Sequence, residues 1–354
     1  MKQISYALAL ALMAVLSSCK KDRGVTLVIT PPSDGRAQTL SGGAGGANAV
    51  NSVFIDMSTD RQDSVLRSSW DLGFYGGADY RVILNYTTSA GAKVLTKNDL
   101  TQVTAADTVG LTLAVNQANP QPSDLAYFDD ASGAISQTAI PAVSATDADN
   151  KVIILNRGTG GGTAARPWMK LRVLRNASGG YTLQYARITE ATFQTVNVPK
   201  NSDYNFTFVS LSNGGIVSVE PKKEAWDIQW TYSVFKTSFG SGDVPYNFSD
   251  LITINTLGGV QAAEVVVTAA NAPANSYDNY KESSIAATTF TSNRWVIGSN
   301  WRATTGTVGV KTDRFYVVKD PAGNVYKLKF ISFHPSDGGV RGYPVMEYKL
   351  VKKG

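Results

Sequence analysis

The 354-residue sequence contains one cysteine and one histidine. No disulfide can form within the chain, so its stability has to come from a buried core. Zinc sites built from several Cys and His ligands are excluded on donor count. Charged residues are sparse at 17%, and the net +5 is spread over scattered positions such as Lys222-Lys223, Lys327, Lys329 and Lys352-Lys353. Without a basic stripe, a nucleic-acid footprint is not expected. There is no G-x-S-x-G elbow, and Gly158-Thr159-Gly160-Gly161-Gly162 lacks the phosphate-cradle spacing and reads as a loop. Asp129 and Asp130 are adjacent and point apart in an extended chain, and Asp147-Ala148-Asp149-Asn150 lacks the EF-hand Gly and Glu. An enzyme is not expected, and no metal ligand set can be named.

The lone cysteine is informative through its position. Met1-Lys2 is followed by a mostly apolar run from Ile4 to Leu16 and then Leu16-Ser17-Ser18-Cys19. A positive start, a short apolar stretch and small residues before a cut site make a secretory signal. The run falls short of the ~20 residues that cross a bilayer. Leu-Ser-Ser-Cys resembles a lipobox, so residues 1–18 are expected to be removed and Cys19 to carry the lipid. Acylation would also remove a free thiol from an oxidising compartment. Residues 19–50, with Pro31-Pro32 and a Gly/Ala/Ser-rich stretch from Ser41 to Ala49, read as a flexible tether.

What the chain does have is glycine (32), tyrosine (16) and 43% hydrophobic residues, enough for a sizeable core. Tyr181-Thr182-Leu183-Gln184-Tyr185 and Tyr326-Lys327-Leu328-Lys329-Phe330 alternate with period two, the mark of half-buried strands. The fold class expected is all-β, antiparallel. A duplication organises it. Ser69-Trp70-Asp71-Leu72-Gly73-Phe74 is echoed by Ala225-Trp226-Asp227-Ile228-Gln229-Trp230. Val53–Ser58 leads into the first and Phe206–Leu211 into the second; strands ending at Asn85 and Asn255 follow. Each copy closes on two strands flanking an Asn/Asp-and-Gly turn, at 176–180 and 320–324. The interval from Trp70 to Trp226 far exceeds the roughly 20–50-residue units of solenoids and propellers. Two related β domains, 51–198 and 199–354, are the reading, with each Trp a core anchor and each Asp turning or capping the chain beside it.

Trp226-Asp227-Ile228, Ile254-Asn255 with Gly258-Gly259, the Arg314–Phe333 hairpin with its Asp320-Pro321-Ala322-Gly323-Asn324 turn, and the closing strand Val345–Val351 resemble the HmuY family of haem-binding lipoproteins from Bacteroidetes. Residues 51–198 look like a more diverged copy. The resemblance implies a β-rich protein at the outer membrane or cell surface that captures haem or a related tetrapyrrole and passes it to an outer-membrane transporter. It also implies axial iron ligands, His or Met, at two places. One follows a tryptophan-led strand, here Trp295-Val296-Ile297-Gly298-Ser299-Asn300-Trp301, with Asn300 or Trp301 at the ligand region. The other lies in about 270–292, which holds Tyr277 and Tyr280 but no His or Met.

The ligand-binding candidates are therefore Tyr277, Tyr280, Trp295, Asn300 and Trp301. A tyrosine can hold ferric haem, and Trp295 and Trp301, six apart, would share a strand face as an apolar platform. His334 reads as a turn histidine, and Met57, Met169 and Met346 as core filling. The alternative function is a structural or protein-interaction lipoprotein that kept the fold without haem, such as an accessory subunit of an uptake complex. Scattering of Tyr277, Tyr280, Trp295 and Trp301 would favour that alternative.

Overall fold

Alternation along the sequence becomes strand with one buried face. Tyr181–Arg187 buries Tyr181, Leu183 and Tyr185, and Val345–Lys352 buries Met346 and Tyr348. The computed structural model describes residues 31–240, 242–272 and 274–354, of which Pro32–Gly354 form one compact unit. Cys19 and the proposed signal 1–18 lie outside the described residues. Helical turns among the described residues are short 3-10 segments, and no helix there is long and apolar enough to cross a membrane.

Apart from a two-stranded ribbon of Arg302–Ala303 with Gly309–Val310, the strands build two pairs of antiparallel sheets. One pair joins a four-stranded sheet, ordered Gly215–Val217, Phe206–Ser210, Leu72–Tyr75, Val82–Leu84, to a five-stranded sheet ordered Gln194–Val198, Tyr181–Arg187, Met169–Arg175, Ile153–Asn156, Gly91–Val94. The other joins Asp243–Ile254, Ile228–Ser238, Asn51–Asp56, Arg61–Leu66 to Gly35–Thr39, Val345–Lys352, Val325–Ser332, Arg314–Lys319, Gln261–Val266. Each pair closes on its own core. Leu72, Phe74, Leu155, Leu171 and Leu183 fill the first, and Val53, Ile228, Ile252, Val318, Leu328 and Met346 the second. Each such side chain contributes roughly 1.5–3 kcal/mol on burial.

The pairing does not follow the expected boundary between 198 and 199. Phe206–Ser210, which precedes the second Trp-Asp, pairs with Leu72–Tyr75, which follows the first. Asn51–Asp56, which precedes the first, pairs with Ile228–Ser238, which follows the second. The lead-in hairpins are thus exchanged, and each Trp-Asp strand is completed by the other's lead-in. The aspartates fasten this exchange. Asp71 N donates to Val209 O (2.9 Å) and its Oδ2 accepts from Leu211 N (2.7 Å). Asp227 N donates to Ile55 O (2.7 Å) and its Oδ2 accepts from Met57 N (2.8 Å). Asn85 and Asn255 repeat the correspondence: their side-chain amides donate to Trp70 O (2.7 Å) and Trp226 O (3.0 Å). Trp70 packs edge-on to Phe208 and Trp226 edge-on to Phe54, in one cluster where the two four-stranded sheets meet.

The tether reading of 19–50 needs correction over its described part. Gly35–Thr39 is the edge strand beside Val345–Lys349, and Leu40 and Ala49 are buried in the second core. The glycines there serve close approach. A Cβ on Gly35 (φ +103) would lie 2.2 Å from Tyr348 O, and one on Gly42 2.2 Å from the Trp230 ring. A composition that suits a linker here lets backbone pass against backbone and indole.

Candidate functional site

The strand Gln261–Val266 is the edge of its sheet, and the segment after it folds back across that edge. Between them runs an open groove of about 820 Å³, lined by Glu264, Val266, Asp278, Tyr280, Lys281 and Thr288 among others. Lys327 sets the segment's course. Its buried Nζ donates to the carbonyls of Tyr277 (2.6 Å), Tyr280 (3.0 Å) and Asp278 (3.3 Å), and burial lowers its pKa. Three carbonyls on one ammonium replace the hydration that burial removes. Tyr277 and Tyr280 consequently face inward, edge-on to Phe315 at 5.8 and 5.5 Å. Tyr280 shares a 2.6 Å hydrogen bond with the Thr288 hydroxyl, and burial pushes its pKa up. Burial, and then the Glu347 carboxylate, push Tyr277 up as well.

Of the five candidate positions, the structure brings together only Tyr277 and Tyr280, and it buries them rather than leaving them in an open loop. Trp295 lies at the junction of the two four-stranded sheets, its indole N–H donating to Ala131 O. Trp301 is inside the second core, stacked on Phe330 at 4.1 Å with its indole N–H on Asp250 O (3.0 Å). Asn300 is exposed in the turn between them. The shared face expected for Trp295 and Trp301 required an extended strand. Residues 295–301 turn instead, through Gly298 at φ +51, so the period-two argument does not apply.

These placements decide how haem iron could be held. His334 caps a turn, its Nδ1 bonded to the Ser336 hydroxyl (2.8 Å) and accepting from Ser336 N (3.2 Å). Met57, Met169 and Met346 are core residues. The hydroxyls of Tyr277 and Tyr280 are buried and disfavoured as phenolates. No cluster of three or more His, Cys, Asp or Glu able to hold a metal occurs among the described residues. The donor set does not fit axial ligation of haem iron by His or Met. The groove, in contrast, has the volume of a ligand site, which typically runs ~300–1,000 Å³.

Sequence reasoning missed Lys327, whose place in an alternating strand suggested a solvated lysine. It also missed Arg294 and Glu220, which gather with Asp129 at the junction beside Trp295. No motif marks any of them, because strands distant in sequence bring them together.

Antiparallel sheets around two cores, joined by short turns and flanked by an open groove, define a β-rich protein. The chain matches the family model for the HmuY protein over residues 48–348 and belongs to that family. The match crosses both Trp-Asp copies, and the family is a haem-binding, non-enzymatic one. No curated protein and no solved structure matches the chain.

Proposed function

We propose that the chain is a lipid-anchored protein of the cell envelope that binds a ligand for uptake. Haem or a related tetrapyrrole is the candidate ligand, and the groove beside Tyr280 is its seat. The observation that carries this reading is that the groove is built from residues 274–289, within the stretch where the family resemblance places a ligand residue. With no His or Met facing it, the groove would hold the flat macrocycle through Val265, Val266 and Tyr280 rather than through its metal. The sequence Leu16-Ser17-Ser18-Cys19 supports a lipid on Cys19 and a place at the outer membrane or cell surface, where an outer-membrane transporter would receive the ligand.

Titrating haemin and metal-free protoporphyrin IX into the chain beginning at Lys20 tests the proposal. A saturable Soret change near one equivalent of haemin is expected, with the porphyrin bound within about tenfold of it. Tyr280→Ala should weaken both ligands and Tyr280→Phe neither. Selective loss of haemin in Tyr280→Phe would make Tyr280 an iron ligand and overturn the macrocycle-held reading. Absence of any saturable change would leave the second reading, a protein-interaction lipoprotein without haem. One observation favours that reading: Trp295, Asn300 and Trp301 lie apart from the tyrosine pair.

A further inference from the structure

A second cavity, separate from the groove, lies where the two four-stranded sheets meet. It measures about 80 Å³, with Phe206 and Phe208 on one wall, Trp226 and Val234 on the other, and the 128–138 segment across it with Trp295. The hairpin exchange shapes this space: Phe206 and Phe208 of one lead-in, Trp226 of the second Trp-Asp and Tyr86 beyond the first all line it.

Within this lining, which also holds Asp129, Asp130 and Glu220, sits the guanidinium of Arg294, 4.7 Å from the Tyr86 ring centroid and 5.3 Å from that of Trp295. Among the described residues no Asp or Glu oxygen lies within ion-pairing distance of it, as is also true of arginines 36, 67, 81, 172, 175 and 302, whereas arginines 61, 157, 166, 187, 314 and 341 have such a partner. The nearby acids are otherwise engaged. Asp129 accepts from Leu84 N (2.7 Å) and Ala139 N (2.8 Å), holding the 129–139 segment in place, and Asp130 accepts from the backbone N (2.9 Å) and hydroxyl (2.5 Å) of Ser132. Glu220 accepts from Phe206 N (2.8 Å), and burial pushes it up to about 8, so it keeps its proton at neutral pH. Arg294 is itself held by its carbonyl, which accepts from Ile254 N (3.1 Å), while Tyr86 is oriented by donating to Gln229 Oε1 (3.0 Å). A planar cation on an aromatic shelf, facing an apolar space, pairs two-pronged with a carboxylate.

We propose that this cavity binds a short-chain carboxylate, its carboxylate on Arg294 and its alkyl tail against Phe206, Phe208, Trp226 and Val234. The volume is that of a few waters at roughly 30 Å³ each, which limits the tail to a few carbons. Trp226 and Trp295 both line the cavity, so occupancy is readable in tryptophan fluorescence.

The test is a titration of the full chain with butyrate and with its neutral analogue butyramide, at pH 7, followed by fluorescence. Saturable binding of butyrate is expected, with butyramide at least about tenfold weaker, since a charge-assisted pair is lost. Arg294→Gln should abolish the difference between the two. Val234→Phe fills the opposite wall and leaves Arg294 in place, so it should weaken butyrate at least tenfold while the thermal transition persists. Equal binding of butyrate and butyramide, unchanged butyrate binding in Val234→Phe, or no saturable signal from the unsubstituted chain would each overturn the proposal. Occupancy of the haem-type groove is read separately in the Soret band, so either site can fail without the other.

Discussion

Asp71 and Asp227 occupy corresponding places in the two halves and do the same backbone work, yet their surroundings are opposite. Asp71 is 1% exposed and meets two cations. Arg157 bridges it two-pronged at 2.7 and 2.8 Å, and Arg166 adds a third contact at 3.1 Å. Asp227 is 4% exposed and has no cation within 4 Å among the described residues; burial raises it to about 8, with Asp56 and Asp320 adding to the rise. One half fastens its exchanged hairpin with a buried ion-pair network, the other with a neutral acid. The shared motif therefore specifies the backbone contact and leaves the electrostatics free. In the first half the extra charges also tie down the 157–166 loop, through Arg157 to Ser212 Oγ (2.6 Å) and Arg166 to Ser68 O (3.1 Å).

The comparison breaks most visibly at Asp71. Asp71→Asn removes the charge between Arg157 and Arg166 and leaves buried guanidinium uncompensated, a loss of about 3–5 kcal/mol. Urea unfolding would measure it, and a loss under about 1 kcal/mol would mean the arginines find water instead.

A second contrast lies four residues before each Asp, and should cost somewhat less to break. Arg67 is buried and donates to the carbonyls of Ala49 (2.8 Å), Gly161 (2.7 Å), Gly160 (3.2 Å) and Asn48 (3.3 Å), as well as that of Thr87. It gathers the glycine-rich segments of the first half around one guanidinium, and its burial lowers its pKa to about 10. Its counterpart Lys223 is partly exposed and contributes backbone groups, its N–H donating to Asp203 O (2.9 Å) and its carbonyl accepting from Asn255 Nδ2 (2.7 Å). Arg67→Met is expected to cost about 3 kcal/mol by stranding several carbonyls at once, whereas Lys223→Met should stay within about 0.5 kcal/mol. The same unfolding measurement on both variants decides it, and equal losses would erase the asymmetry.

Much of this was legible beforehand, and the reasons for the rest are physical. Strand class followed from alternation such as Tyr181 to Tyr185, and the Trp-Asp-to-Asn framework marked the corresponding positions in both halves. Strand partners were not legible. Residues 55 and 228 pair across a long stretch of chain, and period two specifies a buried face but no neighbour. Glycines 35 and 42 looked like linker residues because composition does not separate freedom from close approach. At the candidate site, the tyrosine pair was located through the family resemblance, while Trp301 was misplaced by assuming strand where Gly298 turns the chain. Arg294 and Lys327 gave no signal, since their partners include a ring and carbonyls supplied by turns distant in sequence.

An effect of opposite sign is expected at Asp227. Its acid is raised in the fold from about 3.8 to about 8, so above pH 4 the native state binds a proton that the unfolded chain has released. Stability from this group is fully present below pH 4 and declines as pH rises toward 8; Glu220, also raised to about 8, adds to the same slope. Asn cannot ionise and its amide oxygen can still accept from Met57 N, so Asp227→Asn escapes the penalty. It should match the unsubstituted chain near pH 4 and exceed it increasingly as pH rises to 7, with a shallower decline between. Denaturant unfolding across pH 4–8 would reveal this. Were Asp227→Asn destabilised at every pH, as Asp71→Asn is expected to be, Asp227 would have to carry a charge and find a cation in solution. The two halves would then differ in geometry alone.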